Sequence, residues 1–327
     1  MPYVQLDDIK MFYRVIVAGE EVDAIDKSKP VLIVCHGGLG ILDHGMEFNK
    51  HWQQFSKNIQ VVFIDQRGCG KTHDGDPGKW TMDQFGDDIF NFAAALDLQD
   101  VVLGGVSSGG FAAFACASRH PGFLKGMVIA NTEPVVNPSH KSDAYIAQAK
   151  RDDRREFAAF KDLADDIAIE ALAAEAAEAV VAYDEDPSDE NFERFVQSGG
   201  FGLISKGDLM SIWVEPSRKN EKMKSIFANG YGKFDYSDVI SKIDCRVLWF
   251  AGEWDTLHPV AGAKEGAELL NKEKSTLIVL QAGAPIYLDA PNEFRDITFY
   301  FLHGLGYCEE LTFEVEGEEK NGNSNCR

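Results

Sequence analysis

The chain has 327 residues, enough for one large core plus an insertion. With 53 acidic against 32 basic side chains its net charge is −21, which argues against nucleic acid and against an anionic membrane surface as partner. No apolar run approaches the roughly 20 residues of a membrane span, and Met1 to Asp8 has neither the basic region nor the apolar stretch of a secretory leader. The six cysteines, at 35, 69, 116, 245, 308 and 326, form no CxxC pair and read as reduced thiols of a cytoplasmic protein. The eight histidines show no HExxH or other metal-ligand spacing. Neither a metal nor a cofactor is expected.

Residues 1 to 18 alternate apolar and polar side chains, which predicts an antiparallel hairpin turning at Asp7 and Asp8. Residues 19 to 30 read as a charged loop. Val31 to Cys35 is a continuous apolar run, as in a parallel strand buried on both faces, and it ends in His36-Gly37-Gly38-Leu39-Gly40. A helix is predicted over 46 to 57. The next buried strand, Val61 to Ile64, leads into Asp65-Gln66-Arg67-Gly68-Cys69-Gly70-Lys71-Thr72. Gly70-Lys71-Thr72 suggests a phosphate loop, but Asp65 stands where that pattern needs glycine. Phe85, Ile89, Phe92, Ala93 and Leu96 fall at helical spacing behind Thr81 and Gln84, which resemble a capping box.

The stretch Gly104-Gly105-Val106-Ser107-Ser108-Gly109-Gly110 follows the apolar run Val101 to Leu103 and precedes a buried helical segment from Phe111. The frame Gly105-x-Ser107-x-Gly109 fits a nucleophile elbow, a strained strand-to-helix turn that exposes the serine hydroxyl. Ser108 does not fit as nucleophile, because Val106 would then hold a glycine position. Beyond it lie strand Met127 to Ala130 and Asn131-Thr132-Glu133-Pro134. The strand–helix rhythm then stops. It resumes at Val247 to Phe250, with Gly252-Glu253-Trp254-Asp255 after it, a helix over 259 to 271, a strand over 276 to 280 and a last helix over 292 to 303. This pattern predicts an α/β fold, a doubly wound and mostly parallel sheet with active residues at the carboxyl ends of its strands. Residues 1–134 and 243–307 form the core. Residues 135–242 read as an inserted helical cap, and 308–327 as an acidic disordered tail.

With the elbow, His36-Gly37-Gly38 and Asp65-Gln66-Arg67-Gly68-Cys69-Gly70 in this order, the chain resembles the α/β-hydrolase superfamily, and within it the prolyl aminopeptidase branch. That branch typically carries HGGPG, DQRGCGxS and GGSWGG. Here Leu39 replaces the proline, Thr72 the final serine, and Val106-Ser107-Ser108-Gly109 the Trp-containing elbow. The resemblance covers roughly 28 to 133 and 244 to 305 and does not extend into the cap. It implies a serine hydrolase acting on an ester, lactone or amide of a small molecule or short peptide. It implies Ser107 as nucleophile, with the backbone N–H groups of Gly38 and Ser108 as oxyanion hole. Asp255 matches the family acid. Glu133 is the alternative, since some lactonases of the superfamily take their acid from that strand. Arg67 and Asp65 are expected to brace the loop beside the elbow.

The family histidine should follow the last strand, in a pattern of the form Gly-His-x-x-x-x-(Glu/Asp)-x-Pro. This chain has Gly283-Ala284-Pro285-Ile286-Tyr287-Leu288-Asp289-Ala290-Pro291, with Ala284 in the histidine position. A serine without a base is a poor nucleophile. Three explanations stand. The first, favoured because the rest of the motif is intact, is an introduced His→Ala change that leaves an inactive form. The second is a natural protein that binds a small molecule without turning it over. The third is a base from elsewhere, His258 or His303.

Overall fold

The computed structural model describes residues 2–38, 42–73, 75–134, 237–255 and 257–307, with a few isolated positions between 178 and 191. The expected cap therefore lies almost wholly, and the expected tail wholly, outside the described residues.

The alternating segment folds as the hairpin its pattern requires. Strand β1 (Tyr3–Gln5) pairs antiparallel with β2 (Lys10–Val17), Gln5 opposite Lys10. The charged segment after it is not all loop. Ala18 and Gly19, both at positive φ, make a two-residue turn, and β3 (Glu20–Val22) returns against β2. The continuous apolar runs become β4 (Val31–Cys35), β5 (Gln60–Ile64), β6 (Val101–Val106), β7 (Leu124–Ala130) and β8 (Arg246–Gly252), almost wholly buried. The edge strand β9 (Ser275–Leu280) is half-buried. The sheet order is β1-β2-β5-β4-β6-β7-β8-β9, with β3 beside β2. From β5 to β9 every pairing is parallel, while β2 joins β5 antiparallel.

Helices cover both faces. On one, α1 (Met82–Ala95) and α2 (Ser108–Arg119) bury Phe85, Ile89, Phe92, Phe111 and Phe114. Thr81 caps α1 by accepting the Gln84 N–H at 3.2 Å, one half of the expected capping box. On the opposite face Trp52, Phe55, Tyr287 and Phe294 pack together, the last from α4 (Pro291–Gly304). Helix α3 (Val260–Leu269) follows β8. The single helix expected over 46 to 57 is instead three short turns, His44–Met46, Lys50–Gln53 and Gln54–Lys57. Asn49 breaks the run, because it is extended and its side chain accepts the His51 N–H at 2.9 Å, starting a new turn. Among the described residues no helix is long and apolar enough to cross a membrane.

Arg67 ties the loop after β5 to the hairpin and to α1. Its side chain is fully buried. Nε and Nη2 donate to Asp88 at 2.7 and 2.9 Å, and Nη1 donates to both Asp8 oxygens at 2.9 Å. Burial opposes ionisation of Asp8, but the Asp76 N–H and Arg67 outweigh it and hold the carboxyl at about 2. The Asp8 contribution is thus complete above the ordinary carboxylate value and is lost as pH falls toward 2. Arg67→Met should cost about 3–5 kcal/mol in a urea melt at pH 7, since Asp88 would remain buried without its cation. A loss under 1 kcal/mol would mean that the pair does not hold this loop.

Candidate active site

Strand β4 passes to β5 on one flank, while β6 lies on the other. The carboxyl ends of β4 and β6 therefore meet at the switch point of the sheet, where doubly wound folds open a crevice. Ser107 stands there, between β6 and α2, at φ 52° and ψ −123°. Such a backbone is strained for any side chain, and surrounding contacts must hold it. The Ser107 N–H donates to the Ala130 carbonyl at 3.0 Å, and its own carbonyl accepts the Gly110 N–H at 2.8 Å. A Cβ at Gly105 would sit 2.8 Å from the Gly109 carbonyl oxygen, and one at Gly109 would collide with the Cys35 carbonyl. The two glycines of the motif are thus required by close backbone approach.

The His36-Gly37-Gly38 loop lies against this turn. A Cβ on Gly37 would be 3.2 Å from Ser107 Cβ, and Gly38 sits at φ 62°. His36 anchors the loop from below. Its Nε2 accepts the Gln66 N–H at 3.2 Å, so Nδ1 carries the proton and donates to the Gly37 carbonyl at 2.7 Å. Burial pushes its pKa down, which keeps the ring neutral. Asp65 fixes the neighbouring loop. One oxygen accepts the His44 N–H at 2.8 Å and contacts its ring at 2.7 Å, and the other accepts the Lys71 N–H at 2.7 Å. Asp43, His44 and Asp65 bring ligand-type atoms within 4.8 Å of one another. Those atoms of Asp65 are already engaged by N–H donors, so the group reads as a hydrogen-bonded brace and not as a metal site.

The imidazole that meets Ser107 is that of His258. Its Nε2 lies 2.9 Å from Ser107 Oγ, and its ring packs edge-on against Phe111. The ring comes from the loop after β8, one strand earlier than the motif suggested. Asp255 shapes that loop. Its Oδ1 accepts the N–H groups of Leu257 and His258, both at 2.9 Å, which folds the chain back toward the elbow. Its Oδ2 accepts the Asn131 side-chain N–H at 2.8 Å. Burial pushes the Asp255 carboxyl up, against the opposing pull of His258 and these donors. Glu133, fully buried after β7, approaches the other side of the ring, with Oε1 3.7 Å from His258 Nδ1. Both acids considered from the sequence therefore address the same histidine, Asp255 through its backbone and Glu133 through its ring.

Asn131 joins the three strand ends. Besides Asp255 it donates to the Gly283 carbonyl at 3.0 Å and accepts the Ile286 N–H at 2.8 Å. Ala284 lies between those two anchors. The expected inactive form had its base missing at 284; the ring beside Ser107 belongs to a histidine named only as a fallback. His303, the other fallback, is exposed in the last turn of α4. The available signal was Asp255-x-x-His258, since an acid that caps its own loop can place a side chain three residues on.

Residues 30–291 match the family described as the alpha/beta hydrolase fold. The chain is 22% identical over 303 residues to a proline iminopeptidase from Heyndrickxia coagulans, spanning 88% of this chain and 96% of that protein. Among solved structures it is similar to proline iminopeptidase from Mycobacterium smegmatis, with a TM-score of 0.62, 18% identity and coverage of 93% and 98% of the two chains. It is also similar to the enol-lactonase from Burkholderia xenovorans LB400, with a TM-score of 0.60, 17% identity and coverage of 92% and 100%. With this match over most of its length, the chain belongs to the alpha/beta hydrolase fold family and is an enzyme of the α/β-hydrolase type.

Proposed function

We propose that the protein is a serine hydrolase, competent as it stands, that cleaves an ester, lactone or amide of a small molecule or short peptide. The observation that carries this reading is the 2.9 Å approach of His258 Nε2 to Ser107 Oγ on a strained elbow. His258 takes the hydroxyl proton as Ser107 Oγ attacks the carbonyl carbon. The carbonyl oxygen becomes an oxyanion facing the N–H groups of Gly38 and Ser108, each such donor being worth about 10²–10³ in rate. His258 then returns the proton to the leaving oxygen or nitrogen, and water repeats the cycle on the acyl-serine. Glu133 stabilises the imidazolium formed between these steps.

The substrate class divides between an aminoacyl amide and an ester or lactone. The alternatives that the expected cap offers, Glu215 for a free amine or Phe201, Leu203, Trp213 and Phe227 for an apolar acyl group, lie outside the described residues. A fluorophosphonate probe decides the chemistry. Labelling at Ser107, abolished in Ser107→Ala, is the expected result. Hydrolysis rates on p-nitrophenyl acetate, prolyl p-nitroanilide and an aliphatic lactone then rank the classes. Absence of labelling together with no turnover of all three would favour a protein that only binds.

A further inference from the structure

Glu47 is a buried carboxyl that the reaction described above does not use. It follows the His44–Met46 turn and is 1% exposed. Its Oε1 accepts the Gly37 N–H at 3.4 Å, and its Oε2 has no hydrogen-bond partner among the described residues. Gly37 is the residue whose Cα faces Ser107, and the next residue is the oxyanion donor Gly38.

The groups facing Glu47 are the Cys35 thiol at the end of β4, Asp43 on its own segment, and the buried Tyr287 phenol from the turn Ile286–Asp289. His51 stacks on the Tyr287 ring at 5.6 Å. Burial first, and the Asp43 charge in addition, push the Glu47 carboxyl up to about 8 against the pull of two backbone N–H groups. Near neutral pH it carries its proton.

We propose that Glu47 is a positioning residue of the oxyanion loop: as a neutral acid it holds the Gly37 peptide, and once ionised it opposes the negative charge that forms on the substrate oxygen. This rests on the hydrolase reading. The carboxyl lies one peptide behind the oxyanion donor, in a site whose burial weakens screening. Ionisation would strengthen its grip on the Gly37 N–H and would also set a fixed charge against the oxyanion. The second effect opposes turnover and gives the enzyme an alkaline limit.

The test is the pH profile of p-nitrophenyl acetate hydrolysis, corrected with Ser107→Ala, for the wild type, Glu47→Gln and Glu47→Leu. The wild-type kcat/KM should fall by tenfold to a hundredfold, on the order expected for one nearby charge, as pH passes about 8. Glu47→Gln keeps a neutral acceptor and should hold its neutral-pH rate with no such fall. Glu47→Leu removes the acceptor and should lower kcat about tenfold with KM little changed. An alkaline limb unchanged in Glu47→Gln, or a wild-type kcat in Glu47→Leu, overturns the proposal. Melting temperature reads the same proton without catalysis. A raised folded-state value costs stability as pH climbs from the ordinary carboxyl value of 4.5 to about 8, so the advantage of Glu47→Gln should grow over that window and then level. That trend in an inactive protein would overturn the hydrolase reading and leave the buried neutral acid standing. Active proteins with identical profiles would overturn the Glu47 role alone.

Discussion

His258→Ala is expected to lower kcat/KM on the best of the tested substrates by on the order of 10⁴–10⁶, as removal of a triad base does elsewhere. The ring is the only imidazole among the described residues at hydrogen-bonding distance from Ser107 Oγ. KM should move little, because the elbow and oxyanion loop remain. The double variant Ser107→Ala/His258→Ala should be no worse than either single one, since nucleophile and base act as a unit. Ala284→His, the change that would restore the family motif, should bring no gain. Position 284 lies between the Asn131 contacts at Gly283 and Ile286, and the partner it would need at Ser107 is already engaged. The opposite pattern, a mild His258→Ala and a gain of several orders in Ala284→His, would mean that the base is missing after all.

Much of this site could be read from the sequence because local physics dictates it. Gly105-x-Ser107-x-Gly109 specifies a turn whose two glycines lie where a Cβ would strike backbone, so the pattern and the geometry are one constraint. Val31 to Cys35 reads as a central strand because both of its faces are covered. The imidazole beside Ser107 was less legible. Its reach depends on how far one loop folds over its neighbour, which is fixed by Asp255 accepting two N–H groups and by Asn131 tying three strand ends together. The Asn131 contacts with Asp255 and Gly283 span more than 120 positions in sequence, and no local pattern announces them. The broken helix at 46 to 57 was hidden for a related reason. The Asn49 side chain offered its own backbone a bond that apolar spacing does not register. The turn at Ala18-Gly19 lacks the Asn-Gly or Asp-Gly signal of a tight hairpin, so the residues of β3 read as loop in the sequence.

The two acids beside His258 should separate cleanly on mutation. Glu133→Gln is expected to cost on the order of 10²–10⁴ in kcat, because the imidazolium would lose the carboxylate that approaches its Nδ1 at 3.7 Å. That gap is longer than a hydrogen bond, as catalytic contacts often are before substrate binds. The acid limb of the rate profile should also move to lower pH, since removing a nearby negative charge makes the protonated ring less stable. Gly262→Ala supplies an independent check. A Cβ there would strike the Glu133 carboxylate, so kcat should fall while α3 itself gains helix propensity. Asp255→Asn should behave differently. Its Oδ1 can still accept the Leu257 and His258 N–H groups, but the new amide would point a donor at the Asn131 donor. Asn131 cannot turn over to help, because its oxygen already accepts the Ile286 N–H. The expected cost is about 1–3 kcal/mol of stability from one buried mismatch, with kcat down about tenfold. If instead Asp255→Asn abolishes turnover in a protein that melts normally, and Glu133→Gln is mild with an unmoved acid limb, the triad acid is Asp255 and Glu133 only packs against Gly262.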